Sequence, residues 1–451
     1  MRVKELFELI AKSALLASVL VCGSCSFTKA QEEAACLESR VGSSKPKREY
    51  KITREYYVDS SHSGNGNGSL NNPFNNLKSA VSKAVPGTRI ILKPGTYSGN
   101  NYFSNIQGEE NKPIIIESYD SDDKALIKGG AEGLHFSNPR HLIIRNIRIS
   151  HSRDNGINID DGGSYNKQDG NIILENLEVH SIGNQGNHDG IKLSGIDNIL
   201  IKGCEVYNCS GWASSGIDMV GCHNVIIEGN YFHDLSHSGV QAKGGSSEIV
   251  ITGNKFKNAG TRAVHMGGST GARFFRPLDV DYEARNISVI GNIFSGSEAP
   301  IAYTGAVDCT VANNLFYQPN KWIFRILQEN VRCQKAGNGK FYNNIVYFGQ
   351  NVATVNVGKG TDPASFEIIG NLFYSPSKKI SGLSLPGRKE SNSFGQDPLL
   401  GNEAQDFMPA RNSPVWGKGF DYKKKGPDYR GRGFGKTPSV GHFSRYEASR
   451  K

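Results

Sequence analysis

The chain contains 451 residues and has a formal net charge of +9. Residues 418–451 hold ten Lys or Arg against three Asp or Glu, and residues 1–30 hold four against two, so the body between them is neutral. The positive charge therefore belongs to the two ends of the chain, and it gives no support to a nucleic-acid partner.

Residues 1–30 have the composition of an export signal. Arg2 and Lys4 precede the apolar run "SALLASVLVCGSC", which is too short to span a bilayer. Cleavage is predicted after Ala30, with lipid attachment at Cys25 as the alternative. We therefore expect an exported protein that is periplasmic, secreted or attached to the cell surface as a lipoprotein.

After a polar linker at residues 31–52, residues 56–97 predict a strand, a loop, an amphipathic helix and a second strand. The apolar face of the helix is formed at i, i+3, i+4 and i+7 by Leu77, Ala80, Val81 and Ala84. A helix with one apolar face can cover the open end of a stack of β-coils, so this segment predicts an N-terminal cap.

Short apolar runs closed by asparagine recur through the middle of the chain. The asparagines, separated by 22 to 38 residues, are Asn230, Asn254, Asn292, Asn314, Asn344 and Asn371. Repeats of this period indicate a solenoid in which each coil contributes short strands. Stacked asparagines can pair their amides with the coils above and below, so they predict a structural ladder and no catalytic role.

A second set of segments, such as "DGIKL" and "SGIDM", has apolar third and fifth residues, which predicts that the fourth residue faces outward. The predicted outward column is Asn158, Lys192, Asp218, Gln241, His265 and Tyr303. Coils stack about 4.8 Å apart, so the column would span roughly 24 Å, enough for several sugar units.

Six cysteines follow the export signal, at Cys36, Cys204, Cys209, Cys222, Cys309 and Cys333. Their spacing matches no zinc module, and an oxidising compartment would permit disulfides. Buried thiols in the solenoid core are an equally good interpretation.

The Asn-ended runs, the segment "YYVDSSHSGNGNGSLNNPFNNLKSAV" and the closing segment "DPLLGNEAQDFMPARNSPVWGKG" together resemble the pectate-lyase-like proteins of carbohydrate metabolism. The resemblance implies an all-β fold, a right-handed parallel β-helix with an N-terminal capping helix. It places this domain at residues 53–417. Residues 418–451 are rich in Gly and Lys and read as a solvated or wall-associated tail.

Within that class, "SGVQAKGGSSEIVITGNKFKNAGTRAVHMGG" is most similar to the active coils of the chondroitinase B and alginate lyase group. That group uses a Lys base, which Lys243 matches, and an Arg on the next coil, where this chain has His265 with Arg262 nearby. The group's calcium-binding Glu is replaced by Ser238, so calcium would have to rely on Asp189 and Asp218. The resemblance thus implies Lys243, His265 and Arg262 as catalytic residues.

The remaining polar residues of the outward column and its loops are predicted to bind substrate. They are Lys192, Asp218, Gln241, Arg273, Arg276, Tyr303, Arg325 and Glu329. The function implied is β-elimination from an acidic, uronic-acid-containing polysaccharide by an exported lyase. Surface association would come from a lipid anchor or from the basic tail.

Three other functions fit the same fold. A hydrolase needs two carboxylates, and Asp189 and Asp218 are the best pair, although strand geometry places them roughly 11 Å apart unless the turn before Asp189 folds back. A mannuronan-type epimerase is suggested by "GNHDG" around His188. A non-catalytic, adhesin-like surface protein would use the polar column only to bind glycans.

Overall fold

A computed structural model describes residues 49–164, 169–350, 352–423, 426–435 and 437–445. All of them lie in one compact unit, Val41–Lys451. The predicted export signal, nearly all of the predicted linker, and Cys36 lie outside the described residues. No helix in the described part of the chain is long and apolar enough to cross a membrane.

The described chain winds through three parallel sheets, as the predicted right-handed parallel β-helix requires. The first sheet contains Arg54–Val58, Thr88–Leu92, Ile114–Ser118, Leu142–Arg145, Asp169–Glu175, Asp197–Lys202, His223–Glu228, Ser246–Thr252, Ala284–Ile290, Ala306–Val307, Thr310–Ala312, Lys340–Tyr342, Glu367–Ile369 and Arg388–Glu390. The second sheet contains Asn101–Ser104, Leu134–Ser137, Ile157–Asp160, Ile191–Ser194, Ser215–Val220, Ser238–Lys243, Arg262–Gly267, Ala299–Thr304, Trp322–Leu327 and Ala353–Val357. The third sheet contains Thr96–Ser98, Leu126–Lys128, Arg148–Ser150, Glu178–Ile182, Glu205–Cys209, Tyr231–Leu235, Lys255–Ala259, Ile293–Ser295, Leu315–Tyr317, Ile345–Tyr347, Leu372–Tyr374 and Ser393–Phe394.

Alternation of apolar and polar residues places one face of each strand inside the coil, where like side chains stack on like. A column of buried phenyl rings illustrates this arrangement. Phe232 stacks on Phe256 with centroids 5.0 Å apart, and Phe256 stacks on Phe294 at 4.7 Å. Burial of each phenyl ring contributes roughly 2–3 kcal/mol to the stability of the fold. The core is therefore continuous along the axis, and it leaves only the outer faces and loops for function.

The predicted asparagine ladder is confirmed. The Asn230 amide donates to Asn254 Oδ1 at 2.9 Å, and Asn254 donates to Asn292 Oδ1 at 3.0 Å. The same pattern continues through Asn314, Asn344 and Asn371 to Asn392, which the repeat pattern had not included. The asparagines from Asn230 to Asn371 are almost fully buried, so each amide replaces water with a partner in the next coil.

The N-terminal cap is a helix over Leu77–Val81, which is shorter than the predicted amphipathic segment. Asn76 is the N-cap residue, and its side chain accepts a hydrogen bond from Ser79 N. Leu77, Ala80 and Val81 are buried against the same core as the first strands. Short 3-10 turns occur at Ala272–Phe274, Pro363–Ser365 and Glu403–Gln405.

The interpretation of residues 418–451 as a solvated tail is wrong for the residues that the structure describes. Tyr422 is buried and donates a hydrogen bond to Asn313 Oδ1 at 2.9 Å. Asn343 on the first sheet exchanges hydrogen bonds with the Phe420 backbone at 2.9 and 2.7 Å. The segment is held by apolar contacts to outward-facing strand residues, which its Gly and Lys content concealed.

The five cysteines of the described chain are all free, which confirms the buried-thiol interpretation for them. Burial raises the pKa of the Cys204 and Cys222 thiols to about 12, so neither is a thiolate at neutral pH. These side chains act as small apolar groups that fill the core.

Candidate functional site

The outer face of the second sheet carries a continuous column of in-register side chains. From the N-terminal coil upward they are Tyr102, His135, Asn158, Lys192, Asp218, Gln241, His265, Ala302, Arg325 and Asn356. Five of the six residues of the predicted column lie in it. Lys243 stands two residues beyond Gln241 on the same strand and therefore faces the same side.

Tyr303 is the exception, and its predicted role in substrate binding is wrong. His265 is in register with Ala302, so Tyr303 points into the core, where it is fully buried and packs against Phe324 and Phe366. The strand begins at Ala299, so the fourth and outward residue of this segment is Ala302 and not Tyr303. A shift of one residue moves every side chain of a strand to the opposite face.

A cluster of two lysines and two aspartates forms the middle of the column. The Lys192 ammonium donates to Asp189 Oδ2 at 3.3 Å and makes a short contact with Asp218 Oδ2. Lys243 Nζ lies 3.1 Å from the same Asp218 oxygen and 3.4 Å from Gln241 Oε1. Both aspartates are fully buried, whereas each lysine keeps a partly exposed side chain. The strands thus present two cations over two buried carboxylates. We call Lys192, Lys243, Asp189 and Asp218 the Lys–Asp cluster.

The two carboxylates of the cluster differ in acidity. Burial alone would raise the pKa of Asp218, but the ammonium groups of Lys192 and Lys243 outweigh it and lower that pKa to about 2. Burial and the nearby Asp218 charge raise the pKa of Asp189 to about 6, against a weaker opposing effect of Lys192. Both carboxylates contact the Lys192 ammonium, so they are much closer than the strand estimate of roughly 11 Å.

His265 lies in the column, but its ring is engaged by protein groups. Arg262 Nη1 donates to His265 Nε2 at 2.7 Å, and Thr304 Oγ1 lies 3.1 Å from the same nitrogen. Burial and the Arg262 charge hold the pKa of His265 well below its usual value, so the ring is neutral with its proton on Nδ1. In this arrangement the Nε2 lone pair is already in use and is not available to accept a substrate proton.

Arg262 and Arg325 extend the positive side of the column upward. Arg262 Nη2 forms an ion pair with Glu329 at 2.8 Å, which explains why Glu329 belongs to the site. The Arg325 guanidinium lies 4.4 Å from the Trp322 ring centroid and donates to Asn356 Oδ1 at 3.0 Å. Within the described chain no carboxylate pairs with Arg325, so its charge remains available for an acidic ligand.

The long turn at residues 268–283 packs beside Lys243 and is held by a buried carboxylate. Glu283 accepts hydrogen bonds from Gly244 N at 2.8 Å, from Thr270 N and Oγ1 at 2.7 Å each, and from Asn330 Nδ2 at 2.6 Å. Its four donors come from three separate parts of the chain, so Glu283 fixes two loops against the strand that ends at Lys243.

The two arginines of this turn have contacts within the chain. Arg276 Nε donates to the buried carboxylate of Asp161 at 2.8 Å, so Arg276 anchors its own loop. The Arg273 guanidinium lies 4.6 Å from the centroid of the Phe274 ring, which is half exposed. Their predicted binding role remains a prediction, with Arg273 the more exposed of the two.

The lower end of the column, around His135, was not among the predicted site residues. His135 Nδ1 lies 2.7 Å from Glu132 Oε2, and its Nε2 lies 2.6 Å from Asp160 Oδ2. Burial alone would lower the pKa of His135, but the two carboxylates raise it to about 9. The residues Gly133 to Phe136 repeat the pattern of Gly190 to Leu193, with an outward polar residue between apolar ones, and this pattern could have revealed His135.

The residues of the Lys–Asp cluster do not fit calcium. Calcium takes six to eight oxygen ligands, whereas in the described chain no three His, Cys, Asp or Glu side chains come together as a metal site. The predicted candidates Asp189 and Asp218 share an ammonium instead. Ser238, at the expected position of a calcium ligand, pairs its hydroxyl with His237 at 3.0 Å.

Comparison with known proteins supports the fold. A family profile for the Pel9A-like right-handed β-helix region matches residues 56–235. Pectate lyase L of Dickeya chrysanthemi is 27% identical over 291 residues, which cover 53% of this chain and 64% of that enzyme. Pectate lyase L of Dickeya dadantii is 25% identical over the same lengths. The chain thus spans somewhat less than two thirds of these relatives.

Two solved structures have the same architecture. The crystal structure of pectate lyase Pel9A matches with a TM-score of 0.57 and 15% identity, over 88% of this chain and 98% of that one. The complex of XylC with xylose matches with a TM-score of 0.53 and 12% identity, over 87% of this chain and 98% of that one. These likenesses confirm the pectate-lyase-like fold, whereas the closer similarity to the chondroitinase B group remains a prediction.

Proposed function

We propose that this chain, a right-handed parallel β-helix of the pectate-lyase-like class, is a lyase that cleaves a uronic-acid-containing polysaccharide by β-elimination. The observation that carries the proposal is the outward position of Lys243 on the Lys–Asp cluster, with Arg262 and Arg325 on the coils above. Relatives named pectate lyase make polygalacturonate the first substrate to test.

β-Elimination from a uronic acid needs a cation at the carboxylate and a base for the C5 proton. Arginine suits the first task because its fork binds a carboxylate through two hydrogen bonds, and Arg262 stands on the coil directly above Lys243. Arg325 stands three coils above Gln241, roughly 14 Å away, so it would bind the carboxylate of a neighbouring sugar. Lys243 is the base in this proposal. It removes the C5 proton, the C4–O bond breaks, a C4–C5 double bond forms, and the leaving oxygen takes a proton from solvent.

Lys192 has a supporting part in this scheme. A lysine that acts as a base must be neutral when it accepts the proton, so Lys243 has to leave its ion pair with Asp218. Lys192 touches both aspartates, so Asp218 keeps a cationic partner when Lys243 turns to the substrate. The neutral His265 then belongs to the wall of the site, where it holds the Arg262 guanidinium in place.

The test is a panel of polygalacturonate, alginate, hyaluronan, chondroitin and dermatan, followed by ultraviolet absorbance and by reducing-end analysis. A lyase forms an unsaturated, ultraviolet-absorbing product on at least one of them. New reducing ends without that absorbance would indicate a hydrolase, and binding without either signal would indicate an adhesin-like protein. An epimerase would change the uronic acid composition without cleavage.

We also propose that the protein is exported, on the basis of the basic and apolar segments within residues 1–30. Cell fractionation, with and without residues 1–30, tests this proposal. Incorporation of a labelled fatty acid that depends on Cys25 would indicate a lipid anchor.

A further inference from the structure

We propose that the Lys192 ammonium occupies the place that a divalent cation would take in this groove, so that the Lys–Asp cluster does not bind calcium. The inference that the cluster does not bind calcium is independent of whether the protein is a lyase. The corollary that turnover needs no calcium rests on the lyase function proposed above.

The position of Lys192 is that of a bridging cation. Its Nζ contacts one oxygen of Asp189 and one of Asp218, and both side chains are completely buried. The other Asp189 oxygen, Oδ1, accepts the backbone N–H of Ser215 at 2.7 Å. Asp189 therefore has no carboxylate oxygen left for a metal without losing a partner.

Charge balance supports the same conclusion. Asp218 Oδ2 is shared by Lys192 and Lys243, so two carboxylates face two ammonium groups. Of the four carboxylate oxygens of Asp189 and Asp218, only Asp218 Oδ1 has no hydrogen-bond partner among the described atoms, and it would supply calcium with a single ligand. Calcium entering here would add two positive charges beside two ammonium groups that are only partly exposed to water.

The register of the strands makes the inference testable by one substitution. Lys192 lies directly between Asn158 and Asp218 in the column, one coil from each. Lys192→Asp would therefore place a third carboxylate next to Asp189 and Asp218 and remove the ammonium. Three clustered carboxylates supply the hard oxygen ligands that calcium prefers.

The experiment is isothermal titration of calcium chloride into protein that has been dialysed against EDTA, together with thermal unfolding. We expect no saturable heat and no change in Tm for the natural protein. We expect saturable binding by Lys192→Asp, with Tm rising by about 3 °C when calcium is about 100-fold above Kd.

The matched control is Lys202→Asp. Lys202 is half exposed on the first sheet and pairs with Glu228 at 3.0 Å, so the charge change is the same at an open ion pair. This variant should behave as the natural protein does, with no saturable calcium heat.

Two results would overturn the inference. One is saturable calcium binding by the natural protein that Asp218→Asn removes. The other is a folded Lys192→Asp, with an unchanged circular dichroism spectrum, that binds no calcium. If Lys192→Asp does not fold, Lys192→Met is tested instead, because it leaves the two buried carboxylates without their bridging ammonium. Calcium binding by Lys192→Met supports the inference. A folded Lys192→Met that binds no calcium overturns it.

A lyase assay separates this inference from the proposed function. Turnover that EDTA leaves unchanged supports the corollary, and turnover that EDTA abolishes and calcium restores overturns it. If no substrate is cleaved under any condition, the proposed function fails, whereas the calorimetric result still decides whether Lys192 takes the place of the metal.

Discussion

Asp218 is a buried carboxylate with two lysine partners, and this shared contact determines what each lysine contributes. Lys192 alone can keep Asp218 paired, because its ammonium touches both aspartates. Removing Lys243 leaves two carboxylates and one ammonium in the cluster, but Asp218 keeps Lys192 as a partner and so avoids the larger cost of a buried carboxylate with no partner. The cluster thus allows chemistry and stability to be separated at Lys243.

We expect Lys243→Ala to lower kcat by about 10³-fold or more, since a positioned base contributes typically 10² to 10⁴. Stability should fall by only about 1 kcal/mol, because Lys192 remains. Lys243→Arg is the matched variant, since it keeps a cation beside Asp218 but cannot act as a base at neutral pH. Initial rates of unsaturated product formation and urea unfolding measure the two effects. Full activity in Lys243→Ala would remove Lys243 from the mechanism.

His135 gives a prediction with a defined pH window. Its pKa is raised from 6.5 to about 9 in the folded protein, so its stabilising charge is fully present below pH 6.5 and is lost as pH rises through 9. His135→Gln should therefore lower the free energy of unfolding by about 2 kcal/mol at pH 6, discounted for partial exposure, and by much less at pH 10. Urea unfolding at both values measures this difference. His62→Gln is the control, because the His62 ring is only partly exposed and pairs with the Asn72 amide instead of a carboxylate. An equal loss for His135→Gln at both pH values would contradict the assignment.

At the scale of single residues, prediction from sequence depends on register. The pattern placed Lys192, Asp218, Gln241 and His265 correctly, because each stands between two apolar residues. It failed at Tyr303, because an aromatic ring with a hydroxyl is compatible with either face of a strand. The residue in register with His265 is Ala302, one position earlier. The contact of Arg262 with His265 depends on side-chain geometry that no spacing reveals.

Among the structural elements, the asparagine ladder links neighbouring coils by buried amides. Each inner asparagine accepts from the backbone and the side chain of the coil below and donates to the coil above, as Asn292 does with Asn254 and Asn314. Its removal leaves several buried groups without partners at once.

We expect Asn292→Ala to lower the free energy of unfolding by about 3–4 kcal/mol, because buried donors and an acceptor lose their partners together. Asn392→Ala, at the partly exposed end of the ladder, should cost about 1 kcal/mol, since water can replace the lost contact. Thermal and urea unfolding of both variants provide the comparison. Equal costs at the two positions would mean that the amides act independently of burial.

The long turn is an element whose position depends on Glu283. Glu283→Ala would leave the donors of Gly244, Thr270 and Asn330 without an acceptor, so we expect a loss of about 2 kcal/mol and faster hydrogen exchange at residues 268–283. Turnover should fall roughly 10- to 100-fold, because Lys243 lies next to Gly244. Glu248→Ala, a half-buried carboxylate on the same sheet, is the control. Unchanged exchange in this turn would show that other contacts hold it.

At the scale of the whole molecule, the C-terminal segment is part of the folded body. Tyr422 and Phe420 cover outward apolar residues of the first sheet, among them Ile290 and Tyr342. Val440 does the same for the third sheet in a separate apolar cluster, together with Phe407 and Val415, which precede the segment. The segment therefore shields strand faces that would otherwise meet water.

Truncation after residue 417 should lower Tm by more than 5 °C, because the apolar strand faces under the segment become exposed. It should also increase the binding of a hydrophobic dye. Removing only residues 446–451 is the control. An unchanged Tm after truncation at 417 would restore the interpretation of the segment as a solvated tail.

The overall fold was the most predictable property of the chain, because the same Asn-ended pattern occurs in many coils. Each Asn-ended run adds to the same inference about coils, so an error in one of them changes little. The C-terminal segment is used once and has no repeat, and its few buried aromatic residues are diluted by Gly and Lys. The site was partly predictable. The repeats determine which side chains share a face of the sheet, but only the folded structure shows which of them form hydrogen bonds and ion pairs.

The asparagine ladder passes from Asn254 to Asn292 without a break, although 38 residues separate them and the long turn lies between. The turn joins the second sheet to the first, at a different corner of the coil from the ladder, so its length does not disturb the ladder's bonds. Chimeras that exchange only this turn, and keep its anchors Thr270, Arg276 and Glu283, should therefore keep their melting behaviour while changing the glycans they recognise.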